Sequence, residues 1–395
     1  MAKTVKKAVR KKRREQETFA ETKKKKFTEN QKKIYEKIVS KTGKYLICGV
    51  TGSGKTEIYL QLVENTLEEG KSAIVLVPEI SLTPQTIDRF EGRFPNQIAV
   101  LHSGLTTAQR YEEWEKIYSG EVKIAIGARS AIFAPFNNLG LIVIDEEHEK
   151  SYQSDRSPKY TASEIAELRC EYNNCSLVMG SATPSIESLY KVENGDWLRL
   201  NLPNRANNMA MPEIHIIDMR EELKANNRTM FSRELYFAMR EALSRKEQII
   251  LFLNKRGHTS YVFCRKCGYV YRCDACDVSM TYHKNKDRLI CHYCGREKQL
   301  HDRCPSCGSE AIKEFGAGTE LLEEEVRKYF PSANIVRADA DTMRIKGAYN
   351  RVYHDMLNGK IDILLGTQMI AKGFDFPRVT VVGVVAADIT LNIPD

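Results

Sequence analysis

The chain has 395 residues, 42% of them hydrophobic and 28% charged, with a formal net charge of +8. That length allows two or three domains with sizeable cores, and the balance fits a globular chain rather than a disordered one. The longest uncharged apolar run, Val379 to Ala387, is nine residues. It falls short of the roughly 20 needed to span a bilayer, and no apolar segment follows the N-terminus as a secretory leader would.

The positive charge is local. Residues 1–26 hold twelve Lys or Arg against three acids, a net of +9, which leaves −1 for residues 27–395. A run of like charge with Phe19 as its one aromatic predicts a solvated, disordered tail. Its contacts with DNA would be nonspecific and salt-sensitive. Specific chemistry must come from the body.

After the tail, Thr28 is placed to cap a helix that Ile34, Ile38 and Val39 continue, with Gln31 able to complete a capping box. Strands are predicted at Tyr45–Val50, Ala73–Val77, Lys123–Ala128, Leu141–Asp145 and Leu177–Gly180, alternating with amphipathic stretches such as Glu57–Leu67. Apolar runs of this kind read as a parallel sheet with helices on both faces. That lobe, residues 27–200, gives way to a polar, Asn-rich connection over 201–230. A second series (Gln248–Leu253, Asn334–Ala338, Asp362–Gly366, Val379–Ala386) predicts a second α/β lobe from 231–261 and 313–395. A cysteine-rich module at 262–312 interrupts it.

Gly49 to Thr56 satisfies G-x-x-x-x-G-K-T between a predicted strand and helix. Gly52, Ser53 and Gly54 let backbone N–H groups turn inward around a phosphate, helped by the helix N-terminus. Lys55 would reach the β/γ-phosphates and Thr56 would bind Mg²⁺. The apolar strand Leu141–Ile144 runs into Asp145, Glu146, Glu147 and His148. Asp145 is the candidate Mg²⁺ carboxylate, and Glu146 the candidate base for an attacking water. Ser181 and Thr183, after another apolar strand, are small hydroxyl groups able to hydrogen-bond towards that acidic run.

Eight of the eleven cysteines form four C-x-x-C pairs: Cys264/Cys267, Cys273/Cys276, Cys291/Cys294 and Cys304/Cys307. Eight thiolates suffice for two closed tetrahedral sites, hence structural zinc. Spacing alone leaves open three ways of combining the pairs. His283, His292 and His301 are superfluous as ligands, and Cys48, Cys170 and Cys175 read as core or loop residues.

The phosphate loop, the Asp-Glu-Glu-His run and the Ser-Ala-Thr turn together resemble superfamily 2 helicases, and among these the PriA family of bacterial replication-restart helicases. Leu76–Gln85, Gly127–Phe136, Leu251–Gly257, Gly316–Glu320, Arg337–Thr342 and Leu365–Asp375 also resemble that family's motifs. The resemblance covers about residues 27–395. It implies two RecA-like lobes, ATP with Mg²⁺, and two structural zinc ions, the first cysteine pair joining the fourth and the second joining the third. It implies an ATP-dependent 3′→5′ DNA helicase acting in replication restart and primosome assembly, with ATP bound between the lobes.

By the same resemblance Gln31 contacts adenine, although its capping role accounts for it equally well. Thr83, Gln85, Arg129 and Ser130, with Thr367, Gln368 and Lys372 in the second lobe, are polar groups just past strand ends, suited to phosphodiester contacts. His148, Ser181 and Thr183 would couple hydrolysis to DNA, with Tyr152, Pro158 and Tyr160 in an aromatic loop offering rings for base stacking. Forked or single-stranded DNA, primosome proteins and single-strand-binding protein are the implied partners of a cytoplasmic monomer without membrane contact.

Family members normally begin with DNA-binding domains and continue past Asp388–Asp395 into a Gln- and Arg-bearing motif. The expectation is a helicase core cut at both ends. The alternative is a nucleotide- and DNA-binding fragment without efficient hydrolysis, since an arginine finger contributes about 10³–10⁵ in rate. A P-loop kinase with a zinc-bearing lid would need neither the second lobe nor the acidic and Ser-Ala-Thr motifs.

Overall fold

Parallel strands buried on both sides need helical cover on both faces, and the chain supplies such a layer twice. The computed structural model describes residues 24–78, 84–207, 210–253, 261–283, 286–315, 319–339, 342–344, 348–367 and 376–387. It divides into two units, Met1–Met211 and Pro212–Asp395.

In the first unit α1 (Glu29–Ser40) leads to β1 (Lys44–Gly49), α2 (Lys55–Glu68), β2 (Ser72–Leu76), α3 (Pro84–Glu91), β3 (Ile98–Leu101), α4 (Thr107–Tyr118) and β4 (Ile124–Gly127). Then come β5 (Leu139–Asp145), α5 (Ala162–Asn173), β6 (Ser176–Ser181), α6 (Ile186–Glu193) and β7 (Leu198–Leu202). The seven strands lie in the order β3-β4-β2-β5-β6-β1-β7, and every pairing is parallel. One face packs Ile47, Val75 and Val143 with Ile58, Leu62 and Val63 of α2. The other packs Leu46, Ile74 and Ile142 with Ile117, Ala166 and Cys170. Three helices start on complete capping boxes, at Thr28/Gln31, Thr106/Gln109 and Thr161/Glu164.

Two strands of this unit escaped the sequence reading. Ile98–Leu101 is only four residues long, and it reaches the sheet edge with the Val100 N–H capped by the Glu113 carboxylate at 3.2 Å. Leu198–Leu202 lies in what read as the start of the connection. It is an edge strand that buries only Leu200 and Leu202, so its apolar signal is halved. The predicted connection from 201 to 230 is corrected accordingly: its first residues belong to this sheet, and Met219–Lys224 is helical. The described end of the basic tail is likewise engaged, with Lys24 paired to Glu64 at 2.7 Å and the Lys25 carbonyl accepting from Gln61. Residues 1–23, where disorder was expected, lie outside the described residues.

The second unit contains α7 (Met219–Lys224), α8 (Arg233–Ser244), β8 (Gln248–Leu253), β9 (Tyr261–Cys264), β10 (Thr281–His283), β11 (Arg288–Ile290), β12 (Glu297–Gln299) and β13 (Ile312–Phe315). It ends with α9 (Thr319–Tyr329), β14 (Ile335–Ala338), α10 (Ala348–Leu357), β15 (Ile363–Gly366) and β16 (Val379–Val385). Strands β14-β15-β8-β16 form a parallel sheet. The cysteine-rich stretch forms a separate antiparallel sheet, β12-β11-β10-β9-β13. Buried Gln248, the first residue of β8, ties the parallel sheet to the end of α10 by donating from Nε2 to the carbonyls of Met356 (2.8 Å) and Ile361 (2.7 Å). Gln248→Met keeps the bulk but leaves the buried Ile361 carbonyl without this donor, while the Met356 carbonyl keeps only the Gly359 N–H at 3.1 Å. A loss of about 1–3 kcal/mol from the second unit's stability is expected in urea unfolding.

Candidate nucleotide and metal sites

The parallel register decides which side chains meet. Cys48, just before the phosphate loop, is level with Ser181, and Asp145 is level with Gly180. The C-terminal ends of β1, β6 and β5 therefore lie side by side, the place where ligands bind on open α/β sheets.

The phosphate loop needs its glycines. Gly52 and Gly54 have φ of 79° and 82°, a region that costs other residues about 1–2 kcal/mol. A Cβ on Gly54 would come within 2.3 Å of Gln31 Nε2, and one on Gly49 within 2.6 Å of Ser53 Oγ. Gln31 serves two elements at once: Oε1 accepts from the Thr28 N–H, closing the capping box, while Nε2 donates to the Ser53 carbonyl at 2.8 Å. An amide with two donors and two lone pairs retains one of each for a base. Lys55 Nζ is buried and donates to the Gly49 carbonyl at 2.9 Å, and the buried Ser53 Oγ has no partner. Thr56 follows in the first turn of α2. A phosphate-sized acceptor would satisfy both the hydroxyl and the inward N–H groups, so the loop fits a nucleotide.

Across β6, the Asp145 carboxylate accepts from Tyr59 Oη at 3.1 Å, and its main-chain carbonyl accepts from Tyr152 Oη at 2.7 Å. Burial, reinforced by the neighbouring Glu146 charge, pushes its pKa from the ordinary 3.8 up to about 6. Lys55 offsets part of this rise, and a bound Mg²⁺ would offset more. Glu146 sits at φ 47°, with its carboxylate 3.7 Å from His148 Nδ1. His148 Nδ1 lies 2.8 Å from Ser181 Oγ, which accepts from the Thr183 N–H at 2.9 Å. Ser181 is fully buried and Thr183 exposed.

Arg129 donates to the carbonyls of Ser151 and Gln153 and lies over the Tyr160 ring, 5.6 Å from its centre. Its guanidinium thus holds the aromatic loop, and Ser130 beside it is exposed. Tyr152 is buried, which corrects the expectation that its ring is free to stack on a base. Tyr160 packs edge-on against Phe133 with centres 5.2 Å apart. Thr367 follows β15 and is half-buried. Thr83, Gln368 and Lys372 lie outside the described residues, as does the Gln85 side chain.

Three residues with a part in this site went unread in the sequence. Glu147 accepts from the Ser185 N–H, Ser185 Oγ and Ser188 Oγ, fastening the start of α6 to the acidic run. Arg205 lays its stem across Gly52. Tyr59 reaches Asp145 from α2. The acidic run itself hinted at Glu147; Tyr59 and Arg205 carried no local signal.

The cysteines gather as Cys264, Cys267, Cys304 and Cys307 in one group, and Cys273, Cys276, Cys291 and Cys294 in the other, with sulfurs within 4.8 Å of one another in each. The same turn is used four times. The residue after each pair, Gly268, Asp277, Gly295 or Gly308, has positive φ. Its N–H donates to the carbonyl of the first cysteine at 2.8–2.9 Å. The Ala275 N–H holds the Cys273 thiol down at about 7. Closed Cys₄ sets of this kind suit structural zinc.

Residues 28–192 match the family model for DEAD/DEAH box helicases, and residues 273–299 match that for the PriA DNA helicase Cys-rich region domain. A solved structure of the DEAD-box helicase Mss116 bound to ssRNA and UDP-BeF aligns with a TM-score of 0.52 and 15% identity, covering 91% of this chain and 64% of that one. The fold and sites define a two-lobed P-loop protein of helicase type carrying a double zinc module. The replication restart protein PriA of Bacillus subtilis (strain 168) is 56% identical over 351 residues, 89% of this chain and 44% of the relative. That of Synechocystis is 47% identical over 359 residues, 89% and 43% respectively. The chain belongs to the PriA family and spans about half the length of these curated relatives.

Two outcomes follow. The purified chain should carry two zinc ions by elemental analysis, and Cys273→Ser should leave one. For Asp145, the folded pKa lies above the unfolded one, so its ionisation destabilises the Mg²⁺-free fold as pH rises through about 6. Asp145→Asn should therefore raise the unfolding temperature in Mg²⁺-free buffer at pH 8, and by less at pH 5.

Proposed function

We propose that this chain is the motor core of an ATP-dependent DNA helicase that works 3′→5′ in replication restart and primosome assembly. The observation that carries this reading is the meeting of Lys55, Asp145, Glu146 and Ser181 along one sheet edge. Sequence likeness to relatives named as replication restart proteins supports the pathway; geometry supports the roles of the nucleotide-site residues, and resemblance alone those of Thr83, Gln85, Gln368 and Lys372.

The chemistry assigned to each residue follows from its place. Backbone N–H groups of Gly52, Gly54 and Lys55, with Ser53 Oγ, would receive the β-phosphate, and Lys55 Nζ would leave the Gly49 carbonyl for the β/γ-oxygens. Mg²⁺ held by Thr56 and Asp145 would neutralise charge on the phosphates. Glu146 accepts the proton of the attacking water. Its neighbour His148 contacts Ser181, giving Ser181 and Thr183 a direct route by which departure of the γ-phosphate is felt in β6.

DNA enters the reading through polar groups of each lobe, carried over by resemblance. Ser130 and Thr367, together with Thr83, Gln85, Gln368 and Lys372, supply phosphodiester contacts that position a strand without reading its sequence. Arg129 serves by bracing the loop at 151–160, whose Tyr152 donates to the Asp145 main-chain carbonyl, so a strand that moves this loop acts on the backbone that carries the metal-binding carboxylate. We place the protein in the bacterial cytoplasm as a monomer, with single-strand-binding and primosome proteins as partners; among the described residues no helix is long and apolar enough to cross a membrane.

Glu146→Gln should lower single-strand-stimulated ATP turnover by about 10²–10⁴-fold while retaining ATP binding. Lys55→Ala, tested in parallel, should lose binding as well. Retained nucleotide binding with no stimulation of the unmutated chain by single-stranded DNA would remove the motor from this reading.

A further inference from the structure

We infer that Tyr59 is a positioning residue for the Mg²⁺-binding carboxylate, held in place by the missing side chain of Gly180. The inference rests on Asp145 being the Mg²⁺ ligand and names what aims it.

Tyr59 sits one turn into α2, four residues after the phosphate-loop lysine, and is 1% exposed. Its hydroxyl crosses to β5 and donates to Asp145 Oδ1 at 3.1 Å. To do so it passes over β6 at Gly180, the residue level with Asp145 in the sheet. A Cβ at Gly180 would lie 1.7 Å from Tyr59 Oη, so glycine is required for the hydroxyl to stand there. Gly180 needs no special backbone angle, since it is not among the positive-φ glycines; its role is spatial. Tyr152 holds the main-chain carbonyl of Asp145 from the other side; on the carboxylate itself Tyr59 is the side-chain donor, beside the Glu146 backbone N–H. The bond thus ties the helix that begins at the phosphate loop to the carboxylate, so both halves of a phosphate–metal site move as one piece. Outer partners of this kind commonly govern metal affinity.

The test is a Mg²⁺ titration of a fluorescent, non-hydrolysable ATP analogue bound to the full chain, with thermal unfolding in Mg²⁺-free buffer alongside. Tyr59→Phe should raise the half-saturating Mg²⁺ concentration by about tenfold, with Mg²⁺-free nucleotide affinity within about twofold of the unmutated chain. Gly180→Ala should produce the same shift by displacing the hydroxyl. Added to Tyr59→Phe, it should produce no further shift, because the hydroxyl it displaces is already gone. An unchanged Mg²⁺ requirement in Tyr59→Phe, beside a raised one in Asp145→Asn, would overturn the inference alone. An unchanged requirement in both would overturn it together with the assignment of Asp145. Additive shifts in the double variant would also overturn it, since the two residues would then act separately.

Discussion

Everything in the candidate nucleotide site depends on the parallel pairing of β1, β6 and β5. Strands that run the same way end at the same edge, and here they deliver the phosphate loop, the Ser-Ala-Thr turn and the acidic run to neighbouring positions. Because β6 lies between the other two, its last residues must be small: Gly180 makes room for a tyrosine, and Ser181 is fully buried yet hydrogen-bonded to His148. Had the strand order placed β1 beside β5, neither constraint would exist. The glycines of the phosphate loop answer a second demand, that backbone N–H groups converge on a small volume.

The second unit solves a different problem. Its antiparallel module has a small core, built around Val262, Tyr271, Met280 and Leu289 with Cys273 and Cys291, and small domains need metals or cross-links to supplement such cores. Four copies of one turn supply the ligands. Three close on glycine and one on Asp277, the kind of residue that tolerates a left-handed backbone best after glycine.

Much of this was legible in the sequence because motifs report strand ends. The apolar runs before Gly49, Asp145 and Ser181 gave the central strands to within two residues, and the cysteine spacing gave the metal content. Resemblance, rather than spacing, indicated how the cysteines pair, and the sulfur positions agree with it. Illegible were the features whose signal lies elsewhere in the chain. An edge strand such as Leu198–Leu202 needs only half the apolar residues of a central one. Tyr59 looks like any buried aromatic until β5 and β6 are laid beside α2. Arg129 has the charge of a phosphate contact, but the carbonyls that claim it come from residues 151 and 153, and Tyr152 is fixed by a main-chain oxygen that no side-chain pattern advertises.

The nesting of the cysteine groups has a consequence for assembly. The span from Cys267 to Cys304 encloses all four ligands of the other group, so one metal closes a long loop and the other a short one within it. Loop closure costs entropy with the logarithm of length, about 0.6 kcal/mol for each doubling. Once the inner ligands are gathered, the outer loop is effectively shorter, so the module is built to fill from the inside outwards. A chain whose outer pairs met first would have closed the longer loop at its full entropic cost before the shorter one formed.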